Sequence, residues 1–114
     1  MPDSDIFDRL MAQIHLRSQT LPEGSYTTKL IRGGPMKMGA KILEEVLETT
    51  VAAGEPGEGG RAQLIYEACD VLYHLWVLLG SQGIHVSELR DELERREGVS
   101  GIEEKNRRNE GKST

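Results

Sequence analysis

Residues 61–81 read RAQLIYEACDVLYHLWVLLGS, and the fold follows from this stretch. Leu64, Ile65, Ala68, Val71, Leu72, Leu75, Trp76, Leu78 and Leu79 recur at helical spacing, and Gly80 and Gly83 bracket the end. One narrow polar stripe remains, formed by Gln63, Glu67, Asp70 and His74. A helix apolar around most of its circumference must bury that surface against other helices or another subunit. Just before it, residues 54–60 (GEPGEGG) hold four glycines and no apolar side chain, which predicts a flexible surface connection. Before that connection a second long helix is expected over residues 36–53, with Pro35 placed to open it. Ile42, Leu43, Val46, Leu47 and Thr50 lie on one of its faces. Lys41, Glu44, Glu45 and Glu48 gather on the opposite face, within roughly 100° of arc.

The remaining segments are also helical in period. Ser4 or Asp5 caps a first helix running to about Gln19, with Ile6, Leu10, Ile14 and Arg17 along one stripe. Pro22, Gly24 and Ser25 break the chain, and residues 26–31 make a short helix capped by Ser25. A fourth main helix is expected over residues 88–97, capped by Ser87, with Leu89 and Leu93 as its stripe and Val86 just before the cap. From Gly98 the chain is charged and poorly periodic, and disorder is expected at residues 1–4 and 111–114. No alternating β-branched stretch of strand length occurs. The expected class is therefore all-α: an antiparallel bundle of four main helices. It is expected to be oligomeric, because aromatics make up only 4% of the chain and the helix over 61–81 has apolar surface to spare.

Composition narrows the function. The 114 residues fit one domain. With the 13 glycines counted, the apolar share is about 48%, an ordinary globular value. The longest unbroken apolar run, residues 75–79, is far below the ~18 residues of a membrane span. The acidic start MPDSDIFD is not a secretory signal. A single cysteine, Cys69, excludes a disulfide framework and a Cys-rich zinc site, and it is expected to be a small buried hydrophobe. These features imply a cytoplasmic protein. The net charge of −5 and the pI near 5.2 leave no basic field for nucleic acid. No P-loop, no GxGxxG and no Ser-His-Asp or Cys-His arrangement is present.

The chemistry-bearing residues are acids. Glu44, Glu45 and Glu48 read EExxE, and Glu67 and Asp70 read ExxD. Residues three and four apart share a helix face, so Glu45/Glu48 and Glu67/Asp70 are two acidic pairs that can meet across antiparallel helices. Such pairs repel unless a cation lies between them, and an all-oxygen set suits Mg²⁺ or Mn²⁺. The plainer alternative is a solvated acidic face, with Arg9, Arg17 or Arg90 supplying partners for Glu67 and Asp70. Lys29, Arg32, Lys37 and Lys41 flank the acids and suit a polyanion, or are ordinary surface cations. Ser25, Tyr26 and Thr27 cap a helix or bind phosphate at its N-terminus. His74, four residues after Asp70, is a hydrogen-bonded core histidine or a substrate contact.

Five blocks then occur in order: SYTTKL at 25–30, KILEEVLE at 41–48, EACDVLYHL at 67–75, LERR at 93–96 and SGIEEK at 100–105. On these blocks the chain resembles the phosphoribosyl-ATP pyrophosphatases, which act at the second step of histidine biosynthesis. They belong to the all-alpha nucleoside-triphosphate pyrophosphatases, the MazG-like superfamily. The likeness spans about residues 6–108. The acids alone point to the superfamily; the SYT-K-L block with D-x-x-Y-H points to the narrower family.

The resemblance implies hydrolysis of the α–β phosphoanhydride of phosphoribosyl-ATP to phosphoribosyl-AMP and pyrophosphate. It implies Mg²⁺, with Mn²⁺ as an alternative, held by Glu45, Glu48, Glu67 and Asp70, and Glu44 as a further ligand or as base for water. It makes Lys29, Lys41 and the hydroxyls of Ser25, Tyr26 and Thr27 phosphate contacts, and it leaves His74 between substrate contact and structural hydrogen bond. It further implies a homodimer or larger assembly with the site near the subunit interface. Many bacterial members are fused to an N-terminal phosphoribosyl-AMP cyclohydrolase domain; with few residues before the first helix, a monofunctional chain is expected. Thr28 stands where the family often has Ala, and GEPGEGG and the GKST end lie outside the motif. Two other readings compete: a house-cleaning nucleoside-triphosphate pyrophosphatase, and a helical oligomerisation or adaptor module without activity. SYTTKL and the Tyr73-His74 pair favour the first reading.

Overall fold

The computed structural model describes residues 4–99 and 101–112, and among them only helices and their connections occur. The helices are α1 (Ile6–Thr20), α2 (Tyr26–Gly33), α3 (Pro35–Ala53), α4 (Gly57–Ser81), α5 (Val86–Arg96) and α6 (Gly101–Lys112). The all-α class is as expected; α6 covers a stretch where no periodic helix was predicted. The chain divides into two compact units between Ile84 and His85, α1–α4 forming the first and α5–α6 the second. No described helix is long and apolar enough to cross a membrane.

In the first unit α3 and α4 form the most extensively packed pair. Glu45 meets His74 and Glu48 meets Glu67, so as one number rises the other falls and the two helices are antiparallel. The connection is shorter than the sequence suggested. Only residues 54–56 link the helices, and Gly57–Gly60 already belong to α4. Packing explains the difference. Pro56 caps α4 in an extended conformation (φ −83°, ψ 163°), and Gly60 is buried so closely against the backbone of Glu55 that a Cβ would overlap its carbonyl group. The glycines that suggest flexibility by composition here permit a tight reversal.

Helix α1 opens on Asp5, whose carboxylate accepts from the N–H groups of Phe7 and Asp8 at 3.0 and 3.1 Å; Asp8 returns the bond to the Asp5 N–H. Its inner face is Met11 and Ile14, while Ile6, expected on the same stripe, is exposed. The Trp76 indole N–H donates to the Phe7 carbonyl at 3.0 Å, and His15 Nε2 lies 2.8 Å from the Ile84 carbonyl. These pairs rise together, so α1 runs parallel to α4. Between them Gly80 faces Met11 and Ile14, and a Cβ there would come within 2.5 Å of Ile14 Cγ2. Gly80→Ala is therefore expected to destabilise the chain by about 1–3 kcal/mol, read from the urea unfolding midpoint. An unchanged midpoint would mean the α1–α4 contact yields without cost.

Two expectations about faces are corrected. On α3 the buried residues are Met38, Glu45 and Ala52, whereas Leu43, Val46, Leu47 and Val51 are exposed. Glu44 and Glu48 are exposed while Glu45 is buried, because α4 packs on the acidic side of α3 and leaves the apolar side uncovered. Cys69 is exposed rather than buried, since it lies on the side of α4 away from that contact.

In the second unit α5 starts at Val86, not after Ser87. The cap is His85, whose N–H donates to Glu88 Oε2 at 2.8 Å. Glu92 accepts from Arg95 at 2.6 and 3.0 Å and from Arg96 at 2.8 Å, and these bonds hold its carboxyl down at about 2. Of the termini expected to be disordered, residues 1–3, 113 and 114 lie outside the described residues. Ser4 has no regular structure, and Gly111 and Lys112 fall within α6.

Candidate active site

The centre of the first unit is His74, which is buried with both ring nitrogens engaged. The Tyr26 hydroxyl lies 2.8 Å from Nε2. On the other side Nδ1 lies 2.9 Å from the Asp70 carbonyl, one turn back along α4, and 2.7 Å from Glu45 Oε1. The ring N–H direction serves the Asp70 carbonyl. Glu45 Oε1 thus has a close neighbour in His74 but no aligned donor, and it is a buried oxygen without a hydrogen bond. Burial pushes the Glu45 carboxyl above its ordinary value; His74 and Lys41 oppose the rise, and Asp70 and Glu48 add to it.

A turn further along the hairpin, Glu48 meets Glu67. Partial desolvation, and then the close charge of Glu67, raise the Glu48 carboxyl as well. Gln63 donates to Glu67 Oε1 at 2.6 Å, and Glu67 Oε2 is a second buried oxygen with no partner. Among the described residues of the first unit neither Glu67 nor Asp70 has an arginine or lysine ion pair, so Arg9 and Arg17 do not fill that role.

The hairpin therefore carries Glu45, Glu48, Glu67 and Asp70 as two facing pairs. Among the described residues no three acids, histidines or cysteines are drawn to metal-holding distance. The donor set nevertheless fits a hard divalent cation: every group is a carboxylate, the pairs repel, and two buried oxygens lack partners.

The hydroxyl cluster sits on α2. Ser25 Oγ caps the helix, accepting from the Thr28 N–H at 3.4 Å. Thr27 is buried and its hydroxyl pairs with Tyr73 at 2.8 Å. Tyr26 is half exposed, and burial raises its phenol above the ordinary value, with Lys41 opposing. A cleft of about 360 Å³ lies between α2 and α3, lined in part by Tyr26, Lys29, Lys37, Lys41 and Glu44. Lys29, Lys41 and Glu44 thus meet at one opening beside the carboxylates. Lys37, one turn before Lys41 and named among the flanking cations, lines the same cleft. Tyr73, marked in the sequence only as part of the Tyr73-His74 pair, joins the site through its bond to Thr27.

A family model described as phosphoribosyl-ATP pyrophosphohydrolase matches residues 7–97. The chain belongs to this family. It is 51% identical over 106 residues to a phosphoribosyl-ATP pyrophosphatase of Rhodopirellula baltica, covering 92% of this chain and 88% of that one. A phosphoribosyl-ATP pyrophosphatase of Cereibacter sphaeroides is 44% identical over 100 residues, or 88% of this chain and 94% of the relative. The histidine biosynthesis bifunctional protein HisIE of Wolinella succinogenes is 43% identical over 103 residues, which span 90% of this chain but 44% of that protein. The matched residues 7–97 include all of the facing acids, the α2 hydroxyls and the lysine cleft.

Proposed function

We propose that this chain is a cytoplasmic enzyme of histidine biosynthesis that hydrolyses phosphoribosyl-ATP to phosphoribosyl-AMP and pyrophosphate with Mg²⁺ or Mn²⁺. The family match supports the substrate. The observation that carries the chemistry is the pair of buried, unpartnered oxygens, Glu45 Oε1 and Glu67 Oε2, on facing helices. Glu45, Glu48, Glu67 and Asp70 would hold the divalent ion, which supplies positive charge against the phosphate oxygens as the anhydride breaks. Lys29, Lys37 and Lys41 bind the triphosphate at the mouth of the cleft. Glu44, exposed at the same mouth, takes a proton from the attacking water. Water adds to phosphorus, the P–O bond of the anhydride breaks, and pyrophosphate leaves. His74 fixes the Tyr26 hydroxyl and sits against Glu45, so it orients both without reaching solvent.

A homodimer is part of the proposal. Leu43, Leu47 and Val51 recur every fourth residue on α3 and are 64%, 62% and 66% exposed. A second copy of the chain is the natural cover for this stripe.

The test is pyrophosphate release from phosphoribosyl-ATP, with ATP and dCTP beside it, each with Mg²⁺ and with EDTA. Metal-dependent release from phosphoribosyl-ATP alone is expected. Release from the simple nucleotides only would place the chain among the house-cleaning enzymes. No release from any would favour the adaptor reading.

Acidity supplies a further check. Ligands must be deprotonated to hold the ion, and Glu45 and Glu48 keep their protons to a higher pH than ordinary carboxylates. The rise in melting temperature given by Mg²⁺ is therefore expected to be full near pH 8 and to shrink as pH falls toward about 5. A Mg²⁺ effect constant across that range would mean that protons do not compete at these acids.

A further inference from the structure

A second cleft adjoins the first. It has a volume of about 520 Å³ and lies at the start of α2, lined in part by Glu23, Ser25, Tyr26, Thr28, Lys29 and Arg32. Tyr26 and Lys29 line both openings and form the wall between them. The second cleft contains none of the facing acids of the α3–α4 hairpin, so it has no part in holding a divalent ion. Its lining carries two cations, Lys29 and Arg32, against the single acid Glu23. The first turn of α2 adds N–H groups that have no partner within the helix.

Thr28 supplies an independent sign of a missing ligand. The residue is 3% exposed, and its Oγ1 is a buried oxygen without a hydrogen bond. Such a hydroxyl is costly unless a partner arrives. Ser25 Oγ accepts from the Thr28 N–H at 3.4 Å and makes no hydrogen bond with the Thr28 hydroxyl.

The substrate of the proposed reaction has two anionic ends: a triphosphate, and a phosphate monoester on the added ribose. One cationic cleft beside the carboxylates accounts for only the first. Resting on the function proposed above, we infer that the cleft of Ser25, Thr28, Lys29 and Arg32 binds the phosphate monoester of the phosphoribosyl arm, which makes Arg32 a specificity-determining residue. Arg32 contributes a planar fork of N–H donors to the monoester oxygens. Thr28 Oγ1 gains the partner it lacks, and Lys29 stands between the two phosphate clusters. This division separates phosphoribosyl-ATP from ATP, which carries the triphosphate and no arm.

The experiment compares the parent chain with Arg32→Gln, Arg32→Lys and Thr28→Val. Steady-state kinetics on phosphoribosyl-ATP are read together with the inhibition constant of ATP. Arg32→Gln is expected to raise KM for phosphoribosyl-ATP about tenfold to a hundredfold, the loss typical of a charge-assisted contact, with kcat within about threefold. Arg32→Lys should recover part of the loss, Thr28→Val should raise KM several-fold, and the inhibition constant of ATP should not move. An unchanged KM in Arg32→Gln overturns the assignment. So does an equal weakening of ATP, which would place Arg32 on the triphosphate. A parent chain inactive on phosphoribosyl-ATP overturns the proposed function, and this inference with it.

Discussion

Glu45→Gln is expected to cut turnover severely while leaving the helices at least as stable as in the parent chain when no divalent ion is present. The two effects have one cause. Glu45 is buried against α4, and its Oε1 has no hydrogen bond. A polar atom in that state costs about 1–3 kcal/mol. Burial raises its pKa above the ordinary carboxylate value, so the folded chain holds the proton more tightly than the unfolded chain does. Stability therefore falls as pH rises from about 4.5 through the raised value, and at neutral pH the ionised Glu45 is a liability. Glutamine keeps the shape and removes the charge, along with its repulsion from Asp70 and Glu48. It also removes a ligand: pyrophosphate release should fall by a factor on the order of 10²–10³, and the stabilisation by Mg²⁺ should largely vanish. Melting curves with EDTA and with Mg²⁺, beside the activity assay, read both effects. A variant that still turns over and is still stabilised by Mg²⁺ would remove Glu45 from the ion's ligands.

The second large effect concerns the exposed stripe of α3. With Leu43→Glu and Leu47→Glu combined, sedimentation should report half the parent mass. Each leucine buried in an interface contributes about 1.5–3 kcal/mol, and a buried carboxylate in its place opposes association further. The stripe lies on the side of α3 away from His74, so the inner contacts of the hairpin need not change and the far-ultraviolet helical signal should persist. If the parent itself sediments as a monomer, the stripe has another occupant. If the double variant keeps the parent mass, the copies meet elsewhere.

Much of this arrangement is legible before any coordinates. Ser25 as a cap, Pro35 as the first residue of α3 and the run over 61–81 each state a local rule that the folded chain obeys. The facing of the acid pairs also follows from their spacing once the helices are antiparallel. What periodicity could not supply was which face of α3 packs inward. The apolar stripe at Leu43, Leu47 and Val51 is the stronger hydrophobic signal, yet Glu45 is the residue buried. A hydrophobic pattern records burial without saying whether the cover is this chain or another. The turn at residues 54–56 was masked for a similar reason: glycine serves both loose loops and close backbone approach, and the contact of Gly60 with Glu55 is decided by packing. His74 was visible as the residue four after Asp70, but its bond to Tyr26 joins segments 48 residues apart, beyond what local spacing can show.

The parallel course of α1 and α4 separates two stages of assembly. The hairpin of α3 and α4 closes over a three-residue turn, so its loop entropy is small and its contacts are local. Met11 and Ile14 meet Gly80 across most of the first unit's sequence, and the loop-closure cost predicts that this contact forms later than the hairpin. The facing acids are then expected to come into register before α1 docks. A Gly80→Ala chain that folds more slowly than the parent in stopped-flow mixing, as well as less stably, would place α1 docking at the rate-limiting barrier.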